Sequence, residues 1–319
     1  MSWIGIQAGF RGWALGMIAA ALAGPAGAQS FLEKPTGAVR VITWNIAENS
    51  VFHESQDELA SELGRPAQFR RVIRALQPDV VCLQEASRGA DAAAALMNSV
   101  LPLGTGGPWQ AHAILDNVIL TRFALTHRSE DVVSVGERRR GHATGLVDLP
   151  SQFDADLYII CAHFESRSGE DRLRLRNLHA QAVVDRIADA RTAGGAVDLP
   201  RNTGFVVLGD LNVVDSPAPY IERLVAAGLT DLLPRHNTRG VDVYTWRVDV
   251  GRFPPNALDR ILLGGESLHV EKSFVLNTTI MTFEELQSWN LRSIDVMRNP
   301  HAGLHDHLPV VADLVPRRR

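Results

Sequence analysis

Phe205-Val206-Val207-Leu208-Gly209-Asp210-Leu211-Asn212 begins as an apolar, β-branched run and ends in a carboxylate and an amide. The run has the pattern of a strand buried on both faces. In an extended chain residues two apart point the same way, so Asp210 and Asn212 would share a face. A carboxylate can take a proton or bind a cation, and an amide can donate to an oxyanion. Alone, the stretch also reads as a strand end running into a turn at Asp215-Ser216-Pro217. The other strands decide between these readings.

Working outward, the same pattern recurs. Val39 to Asn45 is an apolar strand closed by Asn45, and Asp79 to Glu85 is another, closed by Gln84 and Glu85. Between them Phe69, Val72, Ile73 and Leu76 repeat at helical spacing, and Pro78 stops the helix. Leu157 to His163 ends in His163 and leads into a basic helix with Leu175, Leu178, Ala182, Val183 and Ile187 on its apolar side. Strands are also expected at Asn117 to Arg122, Ala143 to Leu149, Thr245 to Arg247, Leu258 to Leu262 and Leu304 to Val311. Asp259 lies in one of these, and Asp306 and His307 in another. The run Glu137-Arg138-Arg139-Arg140 reads as a solvated turn, with a phosphate-contacting arginine as the alternative. Residues 48–66 read as a polar, irregular insertion, and residues 86–112 say little beyond an alanine-rich helix from Asp91 to Val100. Strand, helix, strand in this order indicates a layered α/β or α+β fold.

The chain has 319 residues, 45% of them hydrophobic and 21% charged, an ordinary globular composition. A formal net charge of −4 gives no global basic field for nucleic acid or anionic lipid, although a local groove can still be basic. Arg11 is the only charge before Glu33. An apolar run from Trp13 to Gly24 and the small residues of Ala26-Gly27-Ala28 follow it. Residues 1–28 therefore read as a signal peptide cleaved after Ala28, which implies export to the periplasm or medium without stable membrane insertion. An uncleaved anchor is the competing reading. Residues 29–319 show no internal repeat or biased linker and read as one domain. Two cysteines, Cys82 and Cys161, both in strand-like runs, are expected as buried thiols rather than a disulfide framework.

Strand ends bearing Asn45, Glu85, His163, Asp210 with Asn212, Asp259, and Asp306 with His307 suggest convergence on a single cleft. Asn45, Glu85 and Asp306 offer hard oxygen ligands, suited to Mg²⁺ or Mn²⁺ and poor for zinc. Asp210 is a candidate base, His163 and His307 candidate donors, and Asn212 can orient a nucleophile.

At Thr43-Trp44-Asn45, Leu83-Gln84-Glu85, Ala162-His163-Phe164, Gly209-Asp210-Leu211-Asn212, Leu258-Asp259-Arg260 and Asp306-His307-Leu308-Pro309-Val310 the chain resembles the endonuclease/exonuclease/phosphatase superfamily, in family order. The resemblance implies an α+β fold. It is a four-layer α/β/β/α sandwich, with two mixed β-sheets face to face and helices outside. It also implies a divalent-metal-dependent phosphoesterase, with Glu85 holding the cation, Asn45 close by and Asp306 contributing. Asp210 would position or deprotonate water, helped by Asn212. His307, oriented by Asp259, and His163 would face the phosphate. Nucleic acid, phospholipid or a small phosphorylated molecule is the implied substrate, and the subtype stays open. The chain departs from the family at Ala47, where an acid or amide is common, and at His305, which with His301 suggests a histidine-rich rim. Ala47 favours the alternative of a non-catalytic phosphate- or nucleic-acid-binding protein on the same scaffold.

Overall fold

The computed structural model describes residues 30–52, 62–135, 138–249 and 253–317. The signal-peptide reading, residues 53–61 of the polar insertion, Glu137 and the side chain of His301 lie outside the described residues.

Among the described residues twelve strands form two six-stranded sheets. The first holds β1 (Val39–Asn45), β2 (Val80–Gln84), β3 (Gln110–Ile114), β4 (Asn117–Thr121), β11 (Leu268–Val275) and β12 (Val310–Pro316), in the order β11-β12-β1-β2-β4-β3. The second holds β5 (Leu125–Val135), β6 (Arg138–Val147), β7 (Leu157–His163), β8 (Gly204–Asp210), β9 (Leu229–Leu232) and β10 (Asp259–Gly264), in the order β5-β6-β7-β8-β10-β9. Each sheet is built around one parallel pair, β1 with β2 and β7 with β8, and all other pairings are antiparallel. A parallel pair needs a crossover. Helix α1 (Arg65–Leu76) supplies the first and α2 (Gly89–Val100) follows β2; α3 (Glu170–Arg191) supplies the second and α4 (Pro219–Ala226) follows β8. A short α5 (Phe283–Ser288) precedes β12.

Alternation sorts the buried side chains. Ile159, Cys161, Val206, Leu208, Ile261 and Leu263 join the core shared with the first sheet. Tyr158, Ile160, Ala162, Phe205, Val207 and Leu262 join a second core with Val183, Ile187, Tyr220 and Leu224 of α3 and α4. Trp44 stacks on Phe69 of α1 with ring centroids 5.7 Å apart. Sheets face each other and helices cover them, the four-layer α/β/β/α arrangement expected. Cys82 and Cys161 are free, buried thiols.

Three expectations change. Arg138–Arg140 is not a turn: it opens β6, where Val133 to Val135 of β5 pair with it. Thr245–Arg247 is not a strand. Trp246 makes isolated bridges to Asn256 and His307, which fasten the segment to two loops instead. The last strand starts at Val310, so Asp306 and His307 sit on the preceding loop, where Leu308 N–H donates to Thr245 O at 2.7 Å.

Candidate active site

The continuation of the alternation places the polar strand ends. Asp210 has the parity of Val206 and Leu208, and His163 that of Ile159 and Cys161, so both point between the sheets. The register sets His163 opposite Asp210 across β7 and β8, and Asp259 opposite Asp210 across β10 and β8. Three strands thus deliver three functional side chains in one row. Gly209 makes the approach possible. Its φ is +151°, and a Cβ there would lie 1.8 Å from the carbonyl oxygen of Ala162. Any side chain would push β8 off β7.

Glu85 arrives differently. Gln84 points into the core, where Thr43 Oγ1 donates to its Oε1 at 3.1 Å and its Nε2 approaches Cys161 Sγ at 3.4 Å. Simple alternation would send Glu85 to the other face. Instead Glu85 adopts φ 60°, and its carboxylate lines the cleft. A left-handed non-glycine residue costs about 1–2 kcal/mol, so the surrounding contacts must hold it. Asn45 Nδ2 donates to Glu85 Oε1 at 3.0 Å and Glu48 N–H to Oε2 at 2.8 Å.

Asp210 is 2% exposed. Its Oδ1 accepts the Asn212 N–H at 3.0 Å, and its Oδ2 accepts Asn45 Nδ2 at 3.1 Å. The Nε2 atoms of His163 and His307 each lie 3.6 Å from the same Oδ2. Each imidazole is backed by a carboxylate on Nδ1: His307 by Asp259 at 2.9 Å and His163 by Asp116 at 2.8 Å. Burial works against a charged His307, yet the carboxylates of Asp259, Asp210 and Asp306 prevail and hold its pKa up at about 10. Burial likewise pushes Asp116 up. The hydrogen bond from His163 and the charges of His163 and Arg140 outweigh it, leaving Asp116 below the usual carboxylate range. Thr245 steadies the first pair, donating to Asp259 Oδ2 at 2.6 Å and accepting the Asp259 N–H at 2.9 Å.

All eight residues singled out in the sequence come to this region. Glu85, His163, Asp210, Asn212, Asp306 and His307 line one cleft of about 810 Å³. Asn45 and Asp259 stand behind it, bonded to Asp210 and His307 respectively. The role available to Asn45 differs from that of a direct oxygen ligand. Its Oδ1 accepts the Ala47 N–H at 3.0 Å and its NH₂ faces two carboxylates, so it ties Glu85 to Asp210. Asn212 donates its Nδ2 to Phe164 O at 3.0 Å. His305 turns to Asp249, 3.5 Å away.

Sequence reasoning missed Asp116, Thr245 and Arg176, and left Arg140 undecided. Arg140 Nη1 lies 3.2 Å from Asp116 Oδ2 and 3.3 Å from His163 Nδ1, inside the cleft. Arg176 of α3 is fully buried. It donates to the carbonyls of Glu165 and Arg167 at 2.8 and 2.7 Å and to Asp215 at 2.6 Å, clamping the loop after His163 to the loop after Asn212.

Two carboxylate groups could hold a cation. Asp210, Asp259 and His307 bring donor atoms within 4.8 Å of one another. Their hydrogen bonds argue for a different use. Asp259 Oδ2 is filled by His307 and Thr245, and its side chain is sealed from solvent. Glu85 and Asp306 fit better. Both reach the open cleft, and Glu85 keeps a lone pair on each oxygen after its two hydrogen bonds. Hard carboxylate oxygens suit Mg²⁺.

Two packed mixed sheets set Asp210 between two His–Asp pairs, a site equipped to move protons beside an anionic group. The sequence model of the Endonuclease/Exonuclease/phosphatase family matches residues 42–280. The chain belongs to that family and is a hydrolase of phosphoester bonds. Comparison with curated protein sequences gives no match. Among solved structures, TDP2 from D. rerio complexed with single strand DNA product is 15% identical with a TM-score of 0.56, covering 87% of this chain and 99% of its own. An endonuclease/exonuclease/phosphatase from Beutenbergia cavernae is 19% identical with a TM-score of 0.52, covering 88% and 72%. A family protein from Bacteroides thetaiotaomicron is 15% identical with a TM-score of 0.55, covering 87% and 94%. At these identities the likeness is one of fold.

Proposed function

We propose that this chain is an exported, Mg²⁺-dependent phosphodiesterase acting on nucleic acid, with Asp210 as the base that draws a proton from the attacking water. The observation that carries the reading is Asp210 Oδ2, held by Asn45 and set 3.6 Å from two imidazoles. Glu85 and Asp306 would hold the cation, which when bound supplies Lewis-acid charge to the phosphoryl oxygens; Mn²⁺ is the substitute. Asn45 and the Asn212 N–H fix the orientation of Asp210, so no reorganisation is needed at the moment of transfer. His307, kept protonated by Asp259, donates to a phosphoryl oxygen, and His163, oriented by Asp116, is the second donor. Charge gathers on those oxygens as water attacks, so donors placed there lower the barrier more than they tighten ground-state binding. The DNA product in the D. rerio neighbour supports nucleic acid over a small phosphate. Among the described residues no helix is long and apolar enough to cross a membrane. Export rests on residues 1–28, and N-terminal sequencing of the secreted protein should begin at Gln29.

The deciding experiment is an activity panel of Mg²⁺, Mn²⁺, Ca²⁺ and EDTA against single- and double-stranded DNA, RNA, a p-nitrophenyl phosphodiester and phospholipid vesicles. Asp210→Ala serves as the blank. Cleavage of a nucleic acid with Mg²⁺, lost in Asp210→Ala and in EDTA, is the expected result. Cleavage of nothing, or equal activity in the blank, would sink the proposal.

A further inference from the structure

The cleft is lined by two unlike sets of side chains: Val214, Trp246, Phe253, Pro254 and Leu258 are apolar, and Arg140, Ser166, Arg167 and Ser168 are polar or basic. Phe253 leaves 69% of its surface in water beside the phosphate-handling groups. A single exposed aromatic needs no explanation, but Phe253 shares its cleft with Trp246, Pro254 and Val214, so its ring adds to an apolar lining. The cleft also does not end at the reacting groups. Glu48 and Arg298 line both it and a second hollow of about 460 Å³, whose other polar walls are Ser50, Arg65 and Asn299. Arg298 is 49% exposed, and its contact to Asp306 is long at 3.5 Å, so its guanidinium has donors to give. Arg65 lies over the Trp44 ring at 5.2 Å and bonds Ser50 Oγ at 3.2 Å, a fixed charge at the far end.

Resting on the phosphodiesterase reading, we propose that Phe253, with Trp246, is a base-stacking platform and that Arg298 holds the next phosphate, so that the substrate is a single-stranded polynucleotide. A single strand alternates planar faces and phosphates, which matches aromatic side chains and an arginine lining the same cleft. A duplex keeps its base faces stacked inside. A phospholipid has one phosphate and two long chains that need an apolar trough, whereas the charged side chains of Glu48, Arg65 and Arg298 line the second hollow. The net charge of −4 adds the last argument: with no global field, affinity must come from local contacts, and stacking is one that salt does not screen.

The test uses the full chain with Mg²⁺. It compares a short oligothymidylate, the same backbone with abasic sites, methyl p-nitrophenyl phosphate, and phosphatidylcholine–sphingomyelin vesicles. Phe253→Ala should raise KM for the oligothymidylate about ten-fold with little change in kcat. It should raise KM for the abasic strand by a much smaller factor, and Phe253→Tyr should restore binding. Arg298→Gln should flatten the dependence of log KM on log salt by roughly 0.7, the loss of one phosphate contact on a single strand. Equal effects of Phe253→Ala on base-bearing and abasic strands, or faster turnover of the vesicles, would overturn the inference while leaving the phosphodiesterase reading intact. If no phosphodiester is cleaved, that reading itself fails.

Discussion

The two parallel strand pairs follow one plan and reach different chemistry. In the first, β1 and β2 end with Asn45 opposite Gln84; in the second, β7 and β8 end with His163 opposite Asp210. In the second pair, alternation alone brings both functional groups to the inner face, and Asp210 is left 2% exposed. In the first pair, alternation sends Gln84 into the core, and the carboxylate comes one residue later through the left-handed Glu85. The second half is therefore a buried proton-handling floor, and the first an open lip suited to a cation. Burial sharpens a base and its hydrogen bonds; a cation that must enter needs ligands it can reach.

The largest effect should come from the floor. Asp210→Ala is expected to lower kcat by about 10⁴-fold or more, measured in single-turnover assays, with excess Mg²⁺ giving no recovery. The next tests whether the two halves differ in stability as well as in chemistry. Arg40 and Asp313 are both 0% exposed and paired through two hydrogen bonds of 2.6 and 2.8 Å at the end of the first sheet remote from the cleft. Arg40→Met should cost about 3–5 kcal/mol in urea unfolding, because the buried Asp313 would keep only Lys272, 3.7 Å away, and Arg40→Met with Asp313→Leu should regain part of it. Asp259→Asn should lower kcat by about 10²-fold. Asp116→Asn should cost less, because Asp116 is 20% exposed where Asp259 is sealed. Glu85→Gln should raise the Mg²⁺ requirement about 10- to 100-fold and recover at high metal, in contrast with Asp210→Ala. If Glu85→Gln showed no recovery, the division into lip and floor would be wrong.

The last effect is on pH and acts on the fold rather than on the chemistry. His142 and His179 pack with Phe164 beneath the second sheet, with ring centroids 5.4 Å apart. Burial lowers His142 to about 4. Burial, then the charge of His142, lowers His179 to about 3. Their folded pKa values lie below the unfolded value of about 6.5, so below that pH the unfolded chain binds more protons. Stability should fall as pH drops from 6.5 toward 4, by up to about 1.4 kcal/mol per unit for each histidine. The difference in unfolding free energy between pH 7 and pH 5 should shrink in His179→Gln.

The sequence exposed the middle of the sheets and hid their edges. Asn45, His163 and Asp210 stood out because strands buried on both faces are apolar throughout, so a polar last residue is conspicuous. The strands missed were β3, β5, β9 and β11, which are the four edges. Edge strands are solvated along one side and carry mixed side chains, as in Leu125-Thr126-His127-Arg128-Ser129-Glu130-Asp131. Asp116 was invisible for another reason. It sits in the tight turn between β3 and β4 and looks like any turn aspartate until β7 is known to pass beside it. Arg140 was hidden by its two basic neighbours, and Arg176 by a basic helix. Such partners depend on which strands are neighbours, and local pattern does not carry that information.

Gly204–Asp210 also makes strand length a catalytic quantity. One residue added inside β8 would leave the run as apolar as before and able to pack. Every face would nevertheless exchange, and the Asp210 carboxylate would turn toward Phe164 and Tyr220 under the helices, away from both imidazoles. Hydrophobicity would be nearly preserved and function lost. The loops of this scaffold can absorb insertions as they diverge, whereas its central strands can change in composition but not in count.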